Sequence, residues 1–410
     1  MREQQAHYVG LDIGTSAVRV VVGMADADNP GRASIIGHGS VPNIGMRKGV
    51  IVHADDVTEA IAKAITEAER IAGVHIDRAT VQVNGAHVSG LNSTGVIAIS
   101  AANREISPED RFRVEEAATI VQLPPNREIL QVFAKNYRVD GQDNIKDPVG
   151  MHGVRLEVDT HIVTAATPNV RSIEAVLEHA HVYANHRTVS SLAAAEAVLN
   201  RQQKEAGTVL LDIGAGTTNV VVVEDGEVQH VGVLPIGGIH ITNDLAIGLR
   251  TDLDVAEQVK LEHGGLTDYV KTGVVSVKVG GKEHKFDSED VNMIIEARVD
   301  ELFEFVEKEL KKIHRSRKLP GGVVLVGGTA KLPGIATFAK DKLQLASRLG
   351  HLQPLGGLLD TVNDPSYFTA IGLMMLDMLL LPQGPQGRHM GEANQKVFGL
   401  IDGLIKKFKK

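Results

Sequence analysis

The run Leu210-Leu211-Asp212-Ile213-Gly214-Ala215-Gly216-Thr217-Thr218-Asn219, with Val220 to Val223 behind it, restricts the fold more than any other stretch. An apolar segment enters it and a β-branched segment leaves it, so the pattern predicts strand, tight glycine turn, strand. Gly226, between Glu224-Asp225 and Glu227, predicts the next turn. Without a Cβ, Gly214 and Gly216 let the backbone approach a phosphate closely. The turn's amides can then form an anion-binding concavity, to which Thr217 and Thr218 add hydroxyl donors. Asp212 closes the first strand and can hold a divalent cation through its water shell. Taken alone, such a turn is equally an ordinary hairpin.

About two hundred residues upstream, Gly10-Leu11-Asp12-Ile13-Gly14-Thr15-Ser16-Ala17-Val18-Arg19 has the same grammar and runs on through Val20 to Gly23. A third element, Val323-Val324-Leu325-Val326-Gly327-Gly328-Thr329-Ala330, is a buried strand entering a Gly-Gly turn. In this order the three resemble the two phosphate motifs and the adenosine motif of the actin-like ATPase superfamily. The resemblance implies an α/β, ribonuclease H-like fold, duplicated as two halves around a nucleotide cleft, with ATP or ADP and Mg²⁺ as cofactors. It places Asp12 and Asp212 at the metal. Gly14, Thr15, Ser16, Gly214, Gly216, Thr217 and Thr218 would cradle phosphates, and Gly327, Gly328 and Thr329 would lie at the nucleoside.

With 410 residues the chain can bury the cores of several subdomains. A net charge of −8 argues against a general nucleic-acid binder. No Cys is present, which excludes a disulfide framework and any thiol-based metal site or nucleophile. The polar start Met1-Arg2-Glu3-Gln4-Gln5 does not read as a signal peptide. The longest apolar run, Ala370 to Leu381, is broken by Asp377 and too short to span a bilayer. These features predict a cytosolic body.

Residues 7–24 read as the first hairpin, Ala33 to Gly39 as a third strand, and Asn43 to Ile51 as a glycine-broken basic loop. A helix follows with Asp55-Asp56 in its first turn, Val57, Ile61, Ile65 and Ala68 on one face, and Gly73 as its stop. Residues 86–162 read as an inserted subdomain. It has short strands over Val88 to Leu91 and Gly95 to Ile99, a helix opened by Ser107-Pro108, and strands over Glu128 to Val139 and Arg155 to Thr164. Within it, Arg104-Glu105-Ile106-Ser107, Val139-Asp140-Gly141-Gln142 and the run Asp147-Pro148-Val149-Gly150-Met151-His152-Gly153-Val154-Arg155-Leu156-Glu157 resemble the distinctive subdomain of the FtsA family, bacterial actin-like cell-division proteins. Read without the resemblance, the 147–157 run is a solvated loop.

The resemblance covers essentially the whole chain and implies a division of it. Residues 1–85 plus 163–200 form a first core subdomain, and 201–249 plus 317–381 a second. Residues 250–316 form a smaller subdomain of the second half. Ser190 to Leu199 reads as a small-residue connecting helix, and Tyr367 opens the last core helix. Pro235-Ile236-Gly237-Gly238 is a turn before a helix over Ile241 to Leu249 whose N-terminus can face phosphate. Glu257 and Lys260 lie three apart on a helix over Val255 to Leu261. The resemblance assigns them to the ribose and base, whereas spacing alone fits a surface ion pair. Val274 to Phe286 reads as a hairpin, Ser288 to His314 as a long helix with Ala297 where the family usually has Pro, and Lys331 to Leu349 as the helix after the third motif.

Residues 382–395 are rich in Pro and Gly and read as a linker. Beyond it, 396–410 place Val397, Leu400, Ile401, Leu404, Ile405 and Phe408 on one helical face, with lysines including Lys406 and Lys407 opposite. A basic amphipathic end suits an anionic membrane surface, and docking on a protein is the alternative. By resemblance the protein polymerises as actin-like protofilaments at the cytoplasmic side of the inner membrane at the division site. There it receives the C-terminal peptide of the tubulin-like protein FtsZ and recruits later division proteins. Arg298 and Glu301 on the long helix are candidates for that peptide, with a structural ion pair as the competing role for Arg298. Ser190-Ser191 stand where a Glu-Pro pair is usual, and Glu196 lies one or two turns off, so ATP binding with slow hydrolysis is expected. A small-molecule kinase of the same fold would need an acceptor pocket and its own catalytic Asp. A pilus-assembly actin-like ATPase would work without the amphipathic end.

Overall fold

The computed structural model describes residues 6–26 and 32–381. The expected linker and terminal helix, with Val397, Leu400, Ile401, Leu404, Ile405, Lys406, Lys407 and Phe408, lie outside the described residues. The chain opens with β1 (His7–Ile13), β2 (Ala17–Ala25) and β3 (Ala33–Pro42). The expected loop at 43–51 contains a small hairpin, β4 (Met46–Arg47) and β5 (Val50–Ile51). Helix α1 (Ala54–Ala72) has Asp55 and Asp56 in its first turn and ends on Gly73 in the left-handed region (φ +68°), where a side chain would be strained. Its buried face, Val57, Ala60, Ile61, Ala64, Ile65 and Ala68, follows the helical period. β6 (Arg78–Gln82) returns beside β1.

The insertion contains β7 (Ser89–Ala98), α2 (Pro108–Ala118), β8 (Arg127–Val139), β9 (Gln142–Ile145) and β10 (Arg155–Ala166). Two short strands were expected before α2. They form one strand, because β7 pairs without interruption along β10 from Ser89 to Ala98. β9 had no periodic signal and is held as an edge strand against β8. Ser107 and Asp110 form the reciprocal cap that starts α2. At the neck of the insertion the Arg127 guanidinium donates to the carbonyls of His87 (3.0 Å) and Thr164 (3.1 Å), joining the entering and leaving chain.

Next come α3 (Thr167–His179), β11 (Tyr183–Thr188), α4 (Ser190–Val198) and α5 (Arg201–Ala206). The polar strand β11 and the short α5 were not anticipated. β11 is recruited by parallel pairing with β6, and α5 is capped by Asn200. The second half runs β12 (Thr208–Ile213), β13 (Thr218–Glu224), β14 (Glu227–Leu234), α6 (Gly238–Gly248), α7 (Leu253–His263), β15 (Val274–Val279), β16 (Lys282–Asp287), α8 (Ser288–Lys312) and β17 (Gly322–Val326). The expected helix over 331–349 is shorter. α9 spans Ile335–Leu343, Gln344 turns left-handed (φ +53°), and β18 (Ser347–Leu349) joins the sheet. β19 (Gly356–Gly357), α10 (Leu359–Val362) and α11 (Phe368–Leu380) complete the described chain.

The expected duplication is present. The first sheet has the order β11-β6-β1-β2-β3-β19 and the second β18-β17-β12-β13-β14. In each, a three-strand antiparallel meander carries two parallel strands on its first member. The insertion forms its own sheet, β7-β10-β8-β9. The valine run of β13 is explained by burial on both faces. Val221 and Val223 join the core of the first half, while Val220 and Val222 join a second core with α6, α7, α8 and α9. The small residues of α4 allow it to pack tightly on α11. A Cβ on Gly372 would lie 1.8 Å from the Ala193 carbonyl oxygen. Among the described residues no helix is long and apolar enough to cross a membrane.

A buried polar contact is among those that tie the insertion to the second half. The Val231 amide donates to His161 Nε2 (2.9 Å), so the proton sits on Nδ1, which donates to Asn92 Oδ1 (2.9 Å). The His230 ring lies 5.4 Å away and is itself paired with Glu309 (3.1 Å). Burial, with the nearby His230 and Lys135 charges, pushes His161 down to about 3. An unfolded His161 takes up a proton near pH 6.5 while the folded one does not. Its contribution to stability is therefore complete above pH 6.5 and is lost as pH falls toward 3. Between pH 6.5 and 5 this single group should remove about 2 kcal/mol. Thermal unfolding at both pH values should show a smaller acid loss in His161→Gln than in wild type, and equal losses would contradict the assignment.

Candidate functional site

The duplicated meanders bring their two glycine turns together. In the β1–β2 turn the Gly14 amide closes on the Ala17 carbonyl (3.1 Å), and Asn43 Nδ2 donates to the Gly14 carbonyl (2.8 Å). In the β12–β13 turn the Gly214 amide closes on the Thr217 carbonyl (2.9 Å). A Cβ on Gly216 would lie 2.8 Å from Thr15 Oγ1 and 3.1 Å from Lys48 Cα, so the second turn touches the first. Asn84 Nδ2 donates to Thr217 Oγ1 (3.2 Å), and the Gly49 amide donates to Thr15 Oγ1 (3.2 Å). The amides of Thr15, Ser16, Ala215 and Gly216 have no acceptor among the described residues. Free amides in paired turns suit an anion.

Beside the turns lie two buried carboxylates. Asp12 is 7% exposed and Asp212 8%. Burial pushes Asp12 up to about 7; the Arg19 charge opposes this and the Asp212 carboxylate adds to it. Burial raises Asp212 as well, against the Ser190 and Thr369 hydroxyls and Arg19. Two acids so placed are short of positive charge. Among the described residues no three His, Cys, Asp or Glu gather to hold a metal. The pair therefore suits a cation that takes most of its ligands from water and phosphate, as Mg²⁺ does.

Gly327 is another position where glycine is required. Its φ is +87°, and a Cβ there would lie 2.6 Å from Asp212 Oδ1. Thr329 Oγ1 donates to the Gly214 carbonyl (2.9 Å), fastening the third motif to the second turn. Gly328 begins the turn between them and its α-carbon faces nearly open space. Lys260 Nζ donates to Glu257 Oε2 (2.6 Å), Thr242 Oγ1 (2.8 Å) and the Gly238 carbonyl (3.2 Å). The expected i,i+3 pair is therefore formed, and it sits on the glycine turn that opens α6.

Two expectations change. Thr218 lies in β13, fully buried, with its hydroxyl on the Ile236 carbonyl (2.8 Å), so it offers no donor to the turn. The α6 N-terminus does not present its first amides freely. Gly237 approaches the second turn so closely that Gly238 and Ile239 donate to the Gly214 (3.0 Å) and Ala215 (2.8 Å) carbonyls. Ser16 is exposed at the rim. Arg298 and Glu301 lie apart from these contacts. Arg298 holds Asp244 on α6 with two donors, Nη2 at 3.0 Å from Oδ1, and is paired with Glu301 on its own helix. Glu196 is bound to Lys204 (2.8 Å) rather than turned to the site.

Gln82, Asn84, Asn43, Thr242, Thr369 and Arg19 were not singled out from sequence, because single polar residues carry no spacing signal. Arg19 was legible in principle: in register with Asp12, it is the one cation inside the first hairpin.

The model of cell division protein FtsA matches residues 209–372, and the model of the SHS2 domain inserted in FtsA matches residues 85–164. Cell division protein FtsA of Bacillus subtilis is 39% identical over 371 residues, covering 90% of this chain and 82% of that protein. The Pseudomonas aeruginosa protein is 36% identical over 371 residues, covering 90% and 88%. Among solved structures, a PilM-PilN type IV pilus biogenesis complex matches with a TM-score of 0.64 at 18% identity, covering 91% of this chain and 99% of that one. MreB5 of Spiroplasma citri bound to ADP matches with a TM-score of 0.53 at 14% identity, covering 89% and 94%. The two structural likenesses carry the fold, and the sequence relatives carry the family: this chain belongs to the FtsA family of cell division proteins, with an actin-like fold and the FtsA-type inserted subdomain.

Proposed function

We propose that the chain binds ATP or ADP with Mg²⁺ between its halves, assembles into actin-like protofilaments, and anchors FtsZ to the cytoplasmic face of the inner membrane while recruiting later division proteins. The observation that carries the reading is the meeting of two Asp-Gly turns, with Asp12 and Asp212 buried beside them and four free amides on the turns. Thr15, Ser16, Gly14, Gly214, Gly216 and Thr217 line the phosphates; Gly237, Gly238, Glu257, Lys260, Gly327, Gly328 and Thr329 shape the nucleoside side. When bound, Mg²⁺ would offset phosphate charge. The MreB5 relative is described with ADP, and another neighbour, MamK, as a double helical filament. The proposed division of labour is 1–85 with 163–200, the insertion 86–162, 201–249 with 317–381, 250–316, the linker 382–395 and the anchor 396–410. With Ser190-Ser191 at the start of α4 and Glu196 bound to Lys204, hydrolysis is slow. Equilibrium titration with ADP and Mg²⁺ tests the reading, and absence of saturable binding would end it.

The FtsZ peptide docks on the 250–316 region, where Leu253 and Met293 are exposed, with Ile247 of α6 exposed as well. Arg298 is already paired, so a peptide carboxylate must displace Glu301, the more exposed of its two partners. Arg298→Glu should weaken binding of an FtsZ C-terminal peptide about tenfold. Unchanged affinity, measured by fluorescence anisotropy, would leave Arg298 as a tie between α6 and α8 only.

A further inference from the structure

Gln82 is the polar exception at a position where the other half is apolar. β6 and β17 hold equivalent places, each parallel to the strand that carries a site aspartate. In the second half Asp212 is in register with Val326. In the first, the pairs Gly10 with Thr80 and Leu11 with Val81 bring Gln82 alongside Asp12 at the next step. The carboxamide is 3% exposed. Its Nε2 donates to Asp12 Oδ1, while its Oε1 is buried without a partner among the described residues. An unpaired buried carbonyl is costly, and a valine would fill the place without that cost. The orphan acceptor lies on the same carboxamide that holds Asp12, beside the two acids that suit a hydrated cation.

We propose that Gln82 is a positioning residue of the cation site: its amide fixes the Asp12 carboxylate, and its carbonyl accepts a hydrogen bond from a water bound to the cation. The proposal rests on the nucleotide reading above. Mg²⁺ keeps several waters, and their outward protons need acceptors set around the site. In a duplicated fold only one half carries this acceptor, so the water shell is oriented from the Asp12 side.

The test is titration of ADP in Mg²⁺ and in EDTA for the full chain and two variants. Gln82→Val copies the counterpart Val326, and Gln82→Met keeps the side chain's length. Each should bind ADP in EDTA as the wild type does, yet lose about tenfold or more of the affinity gained with Mg²⁺. A full Mg²⁺-dependent gain in the Val and Met variants would overturn the proposal. So would parallel losses in EDTA and Mg²⁺, or failure of both variants to fold, since either assigns Gln82 to the fold alone. A wild type that binds ADP with no Mg²⁺-dependent gain removes the cation site and this proposal with it. A wild type that binds no ADP fails at the earlier step, the nucleotide reading itself.

Discussion

Asp212→Asn is expected to abolish Mg²⁺-dependent ADP binding, with affinity falling at least about a hundredfold, while the nucleotide-free protein stays folded and no less stable. The two effects have opposite signs for one physical reason. The Asp212 carboxyl is buried beside Asp12, and burial disfavours its charged form. Without a cation the folded state carries that cost, and the neutral isostere removes it. Thr369 Oγ1, 3.3 Å from Asp212 Oδ2, keeps an acceptor in the amide oxygen. With a cation present, the same charge is needed to hold its water shell against the phosphates. Calorimetric titration and thermal unfolding on one preparation separate the terms. Unchanged affinity would remove Asp212 from the site. Lost affinity with a collapsed melting temperature would make its role structural.

The sequence exposed the parts of this site that repeat. Asp12 and Asp212 lie near the ends of apolar strands before glycine turns, and such punctuation survives in any context because it is set by backbone sterics. The third glycine turn was legible for the same reason: Gly327 must adopt a positive φ against Asp212. The residues that complete the site were not legible. Gln82 ends β6 and Asn84 follows it, and the place of β6 beside β1 is fixed by a parallel pairing about seventy residues apart that nothing local announces. Thr218 was misplaced for a related reason. Its hydroxyl looked like a turn donor, but strand alternation turned it inward to Ile236. In the fold, β9 and β11 were missed because each is polar and short, and each is held by its neighbour strand rather than by its own pattern.

The other large effect expected is at the chain's end. Leu404→Glu combined with Phe408→Glu should release the protein from anionic vesicles without changing ADP affinity. As a helix, residues 395–410 would be about 24 Å long at 1.5 Å per residue, amphipathic and charged, and so suited to lie in the interface rather than cross it. Lys396, Lys406, Lys407, Lys409 and Lys410 each gain about 1 kcal/mol near anionic lipid. Partial burial of Val397, Leu400, Ile401, Leu404, Ile405 and Phe408 adds on the order of a few kcal/mol. Ordering Gly399 and Gly403 as helix costs about 1 kcal/mol each relative to Ala. On the proposed reading one tail would be a weak and reversible anchor, and a filament presenting many tails on one side would bind firmly through effective concentration.

The proposed function links nucleotide, assembly and membrane in one quantity, the affinity of the full chain for anionic vesicles measured by sedimentation with and without Mg²⁺ and ATP. Filaments on the vesicles and tight binding are expected when ATP is present, and weak binding when ATP is withheld or when Asp212→Asn prevents its uptake, despite an intact tail. Equal vesicle affinity in all three conditions would contradict it.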